Sequence, residues 1–436
     1  MKKSKLAAIG LTAALLVGAF AGCSNGSGGS SGKKVTIDIY QFKVETKSAL
    51  DKAIAQYMKE NPNVTITEQT VGGGGDYGGT LKTKFSSGQE PAIFNVGGQT
   101  DVHTFTDRLT DLSSQPWVSQ AANGTLGGAT MNGKIYGMPF DLEGYGLLYN
   151  KTIFQKAGID ATKLTTMDAI DQAFATIDAQ KAKLGLSAVD AWAAKETWVT
   201  ANHGMNPMMA AELKNSENAY NAKSINFAYN DAFKKYVDLN VKYGYRPSGT
   251  ASSINSVDYT TQVEQLFALG KVAVIQQGNW VYPTLKGIDP DLAKNVGIIP
   301  IPVESSAGTI TGKIPVGVAS YWAVNSKRDK DTVAASEKFL NWLYTSDEGK
   351  KFIINDFNFI PPFKGYSEDL LKNLDPISQA IEQYVTAGNV STWVFNDYPS
   401  GFTDKVGADI NKYIAGQLTW DQFVTNTKNN WSSLRQ

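Results

Sequence analysis

The sequence is poor in the residues on which metal sites, disulfides and many enzymes depend. It has one cysteine and two histidines among 436 residues. These counts exclude an internal disulfide and a Cys/His zinc site. They also confine histidine-based acid–base chemistry to His103 and His203, which both lie in polar or turn-forming stretches where a solvated or capping role is expected. No metal and no other cofactor is therefore expected.

An excess of charge of either sign is also missing. Lys plus Arg and Asp plus Glu both number 41, so the formal net charge is zero. A protein without a basic excess cannot neutralise a phosphate backbone over a wide surface, which argues against nucleic acid as a partner. The HExxH and Walker motifs are absent from the sequence, and GxSxG occurs only as GCSNG at 22–26 and GGSSG at 28–32, in a glycine- and serine-rich stretch without the strand and helix of a nucleophile elbow. The glycine run at 72–75 lacks the Gly-Lys-Ser/Thr ending of a phosphate loop. That run predicts a surface loop.

Residues 1–22 predict a lipoprotein export signal that does not belong to the fold. Lysines precede an apolar stretch from Leu6 to Phe20, which is too short to span a bilayer. The next residues, Ala-Gly-Cys, complete a segment that resembles a bacterial lipobox, which implies a lipid on Cys23. Residues 23–33 are rich in glycine and serine and predict a lipid-anchored, flexible tether. The mature protein is expected on the extracellular face of the bacterial cell membrane.

The rest of the chain alternates strand patterns with helical patterns. Strand patterns mark three early segments: 33–40, 64–66 and 92–96. Helical spacing marks three later segments: 167–184, 228–243 and 333–344. Thr419 with Gln422 predicts a capped start for the last helix. The early β-α-β-α-β order predicts an α/β fold with a doubly wound sheet, whose ligands bind beyond the carboxyl ends of the strands.

Aromatic residues are abundant, with nine Trp and nineteen Tyr, and this excess fits carbohydrate as a ligand. A sugar ring has an apolar face on which Trp or Tyr can stack and a rim of hydroxyls that carboxylates and amides can bind. Most tryptophans, such as Trp342 in an amphipathic helical segment, are expected to pack in the core. Trp280 follows a predicted strand, however, and Trp393, Phe395 and Asp397 lie in a turn-rich segment. We predict that these four side chains contact a ligand.

A pair of carboxylates leaves two interpretations open. Asp141 and Glu143 alternate along a predicted strand and would share one face. Paired carboxylates can hydrolyse glycosides, and they can equally accept hydrogen bonds from sugar hydroxyls without reacting. The binding interpretation is favoured. Glu45 and Gln99 are further candidates, because each lies in a loop at the end of a predicted strand.

Three sequence blocks occur in an informative order. The first is GKIYGMP at 133–139, which runs into LYNKTIF at 148–154. The second is FALGKVAV at 267–274, followed by Trp280, and the third is the helical segment 334–343. Together these blocks resemble the extracellular solute-binding proteins, family 1, of bacterial ABC importers. The resemblance spans nearly the whole mature chain.

The resemblance implies a type II periplasmic-binding-protein-like fold of two lobes, each a doubly wound sheet with helices on both faces. The expected lobes are 34–140 plus 277–322 for lobe 1, and 141–276 plus 323–436 for lobe 2. The expected hinge crossings lie near Pro139–Tyr145, Val274–Gly278 and Ser320–Ser326. The implied mechanism is closure of the lobes on a ligand without chemistry.

The implied function is capture of an oligosaccharide by a lipid-anchored monomer that delivers it to ABC permease subunits. The expected cargo is of the α-glucoside or α-galactoside type. In similar binders an aromatic-x-Asp group anchors a terminal sugar, and Phe395-Asn396-Asp397 stands in that place here. Two alternatives remain: a lipid-anchored glycoside hydrolase using Asp141 and Glu143, and the same fold with non-sugar cargo such as a polyamine.

Overall fold

The computed structural model describes residues 33–71 and 77–435 of the chain. The predicted export signal, Cys23 and all of the tether before Lys33 lie outside the described residues, as does the glycine run at 72–75. Among the described residues, none of the helices has the length and apolar character needed to cross a membrane.

The described chain contains fifteen strands and sixteen α-helices, joined by short 3-10 and π-helical turns. The strands are β1 Val35–Gln41, β2 Val64–Thr70, β3 Ile93–Val96, β4 Thr130–Met131, β5 Lys134–Ile135, β6 Met138–Pro139, β7 Leu142–Asn150, β8 Asp190–Ala191, β9 Val274–Gly278, β10 Val296–Ile299, β11 Val303–Ser305, β12 Gly308–Ile310, β13 Ile314–Val318, β14 Tyr321–Val324 and β15 Val390–Thr392. The helices are α1 Lys47–Glu60, α2 Tyr77–Ser86, α3 Gln99–Thr104, α4 Lys151–Ala157, α5 Met167–Leu184, α6 Asn206–Leu213, α7 Ser216–Asn221, α8 Asn230–Tyr243, α9 Tyr282–Ile288, α10 Pro290–Lys294, α11 Lys330–Thr345, α12 Asp347–Lys351, α13 Glu368–Leu371, α14 Pro376–Thr386, α15 Phe402–Ile414 and α16 Trp420–Leu434.

The first sheet has five strands in the order β2-β1-β3-β14-β6. Strands β1, β2 and β3 are parallel, as the alternation of strands and helices predicted, whereas β14 and β6 run antiparallel to their neighbours. Ile37 and Ile39 of β1 are buried, while Thr36 is exposed and Asp38, between the two isoleucines, is half-buried. Period-two spacing in the sequence therefore reflects burial of one face of this strand.

The second sheet is arranged around the nine-residue strand β7. Its order is β15-β13-β7-β9-β8, and β10 also pairs with β7. The first residues of β7 pair with β13, and its later residues pair with β9 and β10, all antiparallel. Every residue of β7 except Tyr149 is buried, so this strand is covered on both faces.

Buried apolar side chains form two clusters. One contains first-sheet side chains such as Phe94 and Trp322. The other contains Trp192, Phe233 and Trp431 and includes side chains of helices α5, α8, α15 and α16. The described part of the chain thus has two large sheets, two small two-stranded sheets and two large hydrophobic clusters, without a disulfide.

Strand pairing differs from the predicted division of the chain. Strands β10 and β13 lie in the segment 277–322 that was assigned to lobe 1, yet both pair with β7 of the second sheet. Helix α11 was assigned to lobe 2, yet it packs on β1 of the first sheet. The predicted crossing at Val274–Gly278 is strand β9, which pairs with β7 and β8 and stays in the second sheet. These pairings join residues far apart in sequence, and local patterns do not specify them.

The chain passes between the two large sheets near two of the predicted crossings. The chain passes from β6 in the first sheet to β7 in the second across residues 140–141, within the predicted Pro139–Tyr145 segment. It returns from β13 to β14 across residues 319–320, at the start of the predicted third segment. The chain also connects α11, which packs on the first sheet, to β15 of the second sheet. Within this connection, Ile360 forms an antiparallel β-bridge with Leu142 of β7.

Candidate functional site

The predicted ligand residues reach one region from both sheets. Those that follow first-sheet strands are Glu45, in the loop after β1, and Gln99, after β3. Those that adjoin second-sheet strands are Asp141 and Glu143 at the start of β7, Trp280 after β9, and Trp393, Phe395 and Asp397 after β15. The structure brings them together in two groups, one centred on Lys43 and one centred on Asp397.

Lys43 is the centre of the first group. Its ammonium nitrogen donates a hydrogen bond to Glu143 and lies 3.4 Å from the carboxylate of Glu45. Lys43 is only 8% exposed. Burial opposes its charge, but attraction from Glu143 and then Glu45 outweighs burial and raises the pKa of the ammonium group. The predicted carboxylates therefore share a lysine that the sequence analysis did not select.

Asp141 is the most enclosed member of this group. It is 1% exposed, and neither carboxylate oxygen has a hydrogen-bond partner within the described part of the chain. Burial and then repulsion from Glu143 raise the pKa of Asp141 well above its ordinary value. A protonated Asp141 could donate a hydrogen bond as well as accept one. No group of three or more His, Cys, Asp or Glu side chains within 33–71 and 77–435 is arranged to hold a metal ion.

Aromatic rings surround His203 beside this group. The imidazole stacks on Tyr145 at a centroid distance of 4.4 Å and lies 5.1 Å from both Trp280 and Phe395. Trp198 and Trp393 lie 5.2 and 5.7 Å from it. The expectation that His203 is solvated or capping is wrong, because it is 7% exposed and packed among rings.

His203 is neutral in this environment. Burial, and then repulsion from Lys43, lowers the pKa of the imidazole to about 3. Its Nδ1 is buried without a hydrogen-bond partner among the described residues. His103, by contrast, is exposed and stacks on Tyr220 of α7 at 4.4 Å.

Exposure separates the rings that can meet a ligand from the rings that support them. Trp280 and Phe395 are partly exposed, and so are Trp198 and Tyr259. Trp393 is 5% exposed, lies 4.9 Å from Phe395 and packs closely against Gly317. The indole nitrogen of Trp280 donates to Gln277 at 2.7 Å, which fixes the orientation of its ring. In this conformation Trp393 supports Phe395 from beneath.

Gly317 of β13 lies so close to Trp393 that there is no room for a side chain at this position. A Cβ atom there would lie 2.4 Å from Cγ of Trp393. Gly317→Ala is therefore expected to displace Trp393 and lower the free energy of unfolding by about 1–3 kcal/mol, measured by denaturant titration with tryptophan fluorescence. Gly287→Ala is the control, because a Cβ atom at that exposed position meets nothing within 4 Å. Equal stability of the two variants would contradict this account of the packing.

The second group joins Gln99 to Asp397. The backbone N–H of Gln99 donates to Oδ1 of Asp397 at 2.7 Å. The amide of Gln99 donates to the carbonyls of Gly127 and Thr130, so this side chain holds the neighbouring loop. Gly98 permits the approach, because a Cβ atom there would lie 2.7 Å from Oδ1 of Asp397.

Asp397 is fully buried in this arrangement. Its Oδ2 has no partner among the described residues, and its backbone carbonyl accepts a hydrogen bond from Arg435. Burial raises the pKa of the Asp397 carboxyl to about 7. Asp397 therefore links the second-sheet segment after β15 to the start of α3, which follows the first sheet.

Five residues of the site were not selected from the sequence. They are Lys43, Tyr145, Trp198, His203 and Tyr259. The loop after β1 was marked as a site, but Glu45 was chosen there instead of Lys43. The close spacing of Trp198 and His203 was the available signal for the aromatic cluster. The contact between them and Trp280, about 80 residues later, arises only from the fold.

The fold and the clustered aromatic and carboxylate side chains define a binding protein of a known family. The profile of the family described as bacterial extracellular solute-binding protein matches residues 52–404, which is most of the chain. The protein belongs to this family. Its members bind solutes rather than transform them.

Individual relatives share much of the chain at low identity. The multiple sugar-binding protein of Streptococcus mutans serotype c is 25% identical over 385 residues, covering 86% of this chain and 85% of that protein. A solved chitin oligosaccharide binding protein superposes with a TM-score of 0.75 at 20% identity, covering 93% of this chain and 100% of the other. RafE in complex with raffinose gives a TM-score of 0.71 at 19% identity, covering 92% and 100%. These structures establish the periplasmic-binding-protein fold.

Proposed function

We propose that this protein captures an oligosaccharide and delivers it to the permease of an ABC importer. The observation that carries the proposal is the arrangement of partly exposed rings beside carboxylates at the strand ends of both sheets, of which Asp141 and Glu143 are buried. Trp280 and Phe395 offer flat apolar surfaces, and Glu45, Asp141 and Glu143 offer acceptors for hydroxyl groups. The names of the relatives, a multiple sugar-binding protein and a raffinose complex, support the same ligand class.

The ligand is proposed to lie between the residues that follow the two sheets. It would stack on Trp280 and Phe395, with Trp393 beneath, and would face Glu45, Asp141, Glu143, Gln99 and Asp397 at its rim. In the present conformation Asp397 and Gln99 bond to each other, so binding at that end would require their separation. A ligand held between the two sides would then favour their closure around it, because it contacts residues from both sides.

The cargo is proposed to be of the α-glucoside or α-galactoside type. The segment Phe395-Asn396-Asp397 and the raffinose complex of a structural relative support this class. The protein is further proposed to act as a monomer anchored to the outer face of the cell membrane through a lipid on Cys23. The lipobox-like sequence before Cys23 supports the anchor.

Calorimetry with a panel of raffinose, stachyose, maltotriose and chitotriose tests the proposal. At least one sugar is expected to bind with a Kd on the order of micromolar, and thin-layer chromatography should show the sugar unchanged after long incubation. A panel without any binding would contradict the proposed ligand class. Hydrolysis products would instead favour catalysis by Asp141 and Glu143, and binding of spermidine alone would favour polyamine cargo.

A further inference from the structure

Lys43 has an unusual position for a lysine, because it is buried and surrounded by acids at one end of the proposed sugar site. Its ammonium group bonds to Glu143 and lies 3.4 Å from Glu45, and the carboxyl of Asp141 also acts on it electrostatically. Glu143 is itself buried. The single ammonium group of Lys43 therefore interacts with three acidic side chains.

The backbone of Lys43 is held in place by Gln41, the last residue of β1. Oε1 of Gln41 accepts from the N–H of Lys43 at 2.7 Å, and Nε2 of Gln41 donates to the carbonyl of Lys43 at 3.1 Å. The same Nε2 donates to Thr70 at 2.6 Å. Gln41 is fully buried, so this clamp fixes the point from which the lysine side chain extends.

We propose that Lys43 is a built-in counter-cation that reserves the acidic end of the site for neutral ligands and excludes amines. The inference rests on the proposed function and deepens it, because it says which feature makes the site accept an uncharged sugar. Its ammonium group occupies the position where the carboxylates would otherwise attract the ammonium group of a ligand. Because the lysine is tethered, a free amine must displace an intramolecular partner.

A purely structural role for the ion pair makes a different prediction. Lys43 follows the first sheet and Glu143 belongs to the second, so their contact also holds the two sides together. If the ion pair served only to hold the two sides together, its loss would weaken closure and sugar binding without creating affinity for amines. Gain of amine binding is therefore the readout that separates the two roles.

The test compares Lys43→Met with wild type by calorimetry, using putrescine and the oligosaccharide panel as probes. Lys43→Met keeps the length of the side chain and removes its charge, so putrescine is expected to bind at least about tenfold more tightly than it binds wild type. The gain in putrescine affinity should fall as salt is added. It should be lost in the double variant that combines Lys43→Met with Glu143→Gln. Lys181→Met is the matched control, because Lys181 is half exposed and pairs with Asp178 on the surface of α5.

Thermal melting of each variant accompanies the titrations. If Lys43→Met does not fold, Lys43→Gln replaces it, because an uncharged amide can still donate hydrogen bonds to Glu143. Folded Lys43→Met or Lys43→Gln that binds putrescine no better than wild type would overturn the inference, and so would tight putrescine binding by wild type. If wild type binds no sugar but the variant gains putrescine, the proposed function fails while the charge inference stands.

Discussion

Replacing Trp280 with alanine is expected to weaken binding of the tightest oligosaccharide in the panel by about thirty- to a hundredfold, or ~2–3 kcal/mol. The indole is partly exposed, lies 5.1 Å from His203 and is oriented by its hydrogen bond to Gln277. Truncation removes a stiff, flat surface that is already positioned before the ligand arrives. Calorimetry of Trp280→Ala against wild type measures the effect.

Two control variants show whether the loss comes from the ring face. Trp280→Phe retains an aromatic surface and is expected to keep most of the affinity. Trp342→Ala removes a tryptophan that packs on Tyr57 and donates to Glu60, away from the site residues. It should lower stability but leave affinity within about twofold, as expected for a distant site. Equal loss of affinity in Trp280→Ala and Trp342→Ala would refute stacking on Trp280.

Asp190→Asn is expected to stabilise the protein by roughly 3 kcal/mol at pH 8 and above. Asp190 lies in β8, is 1% exposed, and has no hydrogen-bond partner for either carboxylate oxygen within the described residues. Burial raises the pKa of this carboxyl to about 8 from an ordinary value of 3.8. The folded state therefore keeps a proton that the unfolded chain has already released.

The sign of the pH dependence follows from this difference in bound protons. Between about pH 4 and pH 8 the folded state binds more protons at Asp190, so the free energy of unfolding falls as pH rises. Asparagine cannot titrate, so the gain in free energy of unfolding from Asp190→Asn should be near zero at about pH 4 and should grow until about pH 8. Denaturant titrations at pH 4.5 and pH 8.5 (roughly the two ends of this window) measure the change.

Asp369→Asn is the matched control for this experiment. The Asp369 side chain is 92% exposed and pairs with Lys372 on the protein surface. Its replacement is expected to change stability by less than about 0.5 kcal/mol at either pH. If the advantage of Asp190→Asn is the same at both pH values, the carboxyl does not hold its proton in the folded state.

Local sequence signals predicted several elements accurately. Helix α5 spans Met167–Leu184, as its spacing indicated, and Thr419 with Gln422 forms the predicted capping box of α16. These features depend on residues within a few positions of one another. The candidate carboxylates and the segment Trp393–Asp397 were also found by residue type and by their position after strands. Whether they bind a ligand stays a prediction.

The amino-acid sequence by itself determined the α/β class, the family and the choice of aromatic and acidic side chains, because composition, periodicity and ordered motifs are local properties. Tertiary structure alone decided that β10 and β13 join the second sheet and that His203 packs against Trp280 and Phe395. It also decided that Lys43 pairs with Glu143, 100 residues away. Such contacts depend on how strands that are distant in sequence pair and pack, and the local sequence around each residue does not specify that pairing.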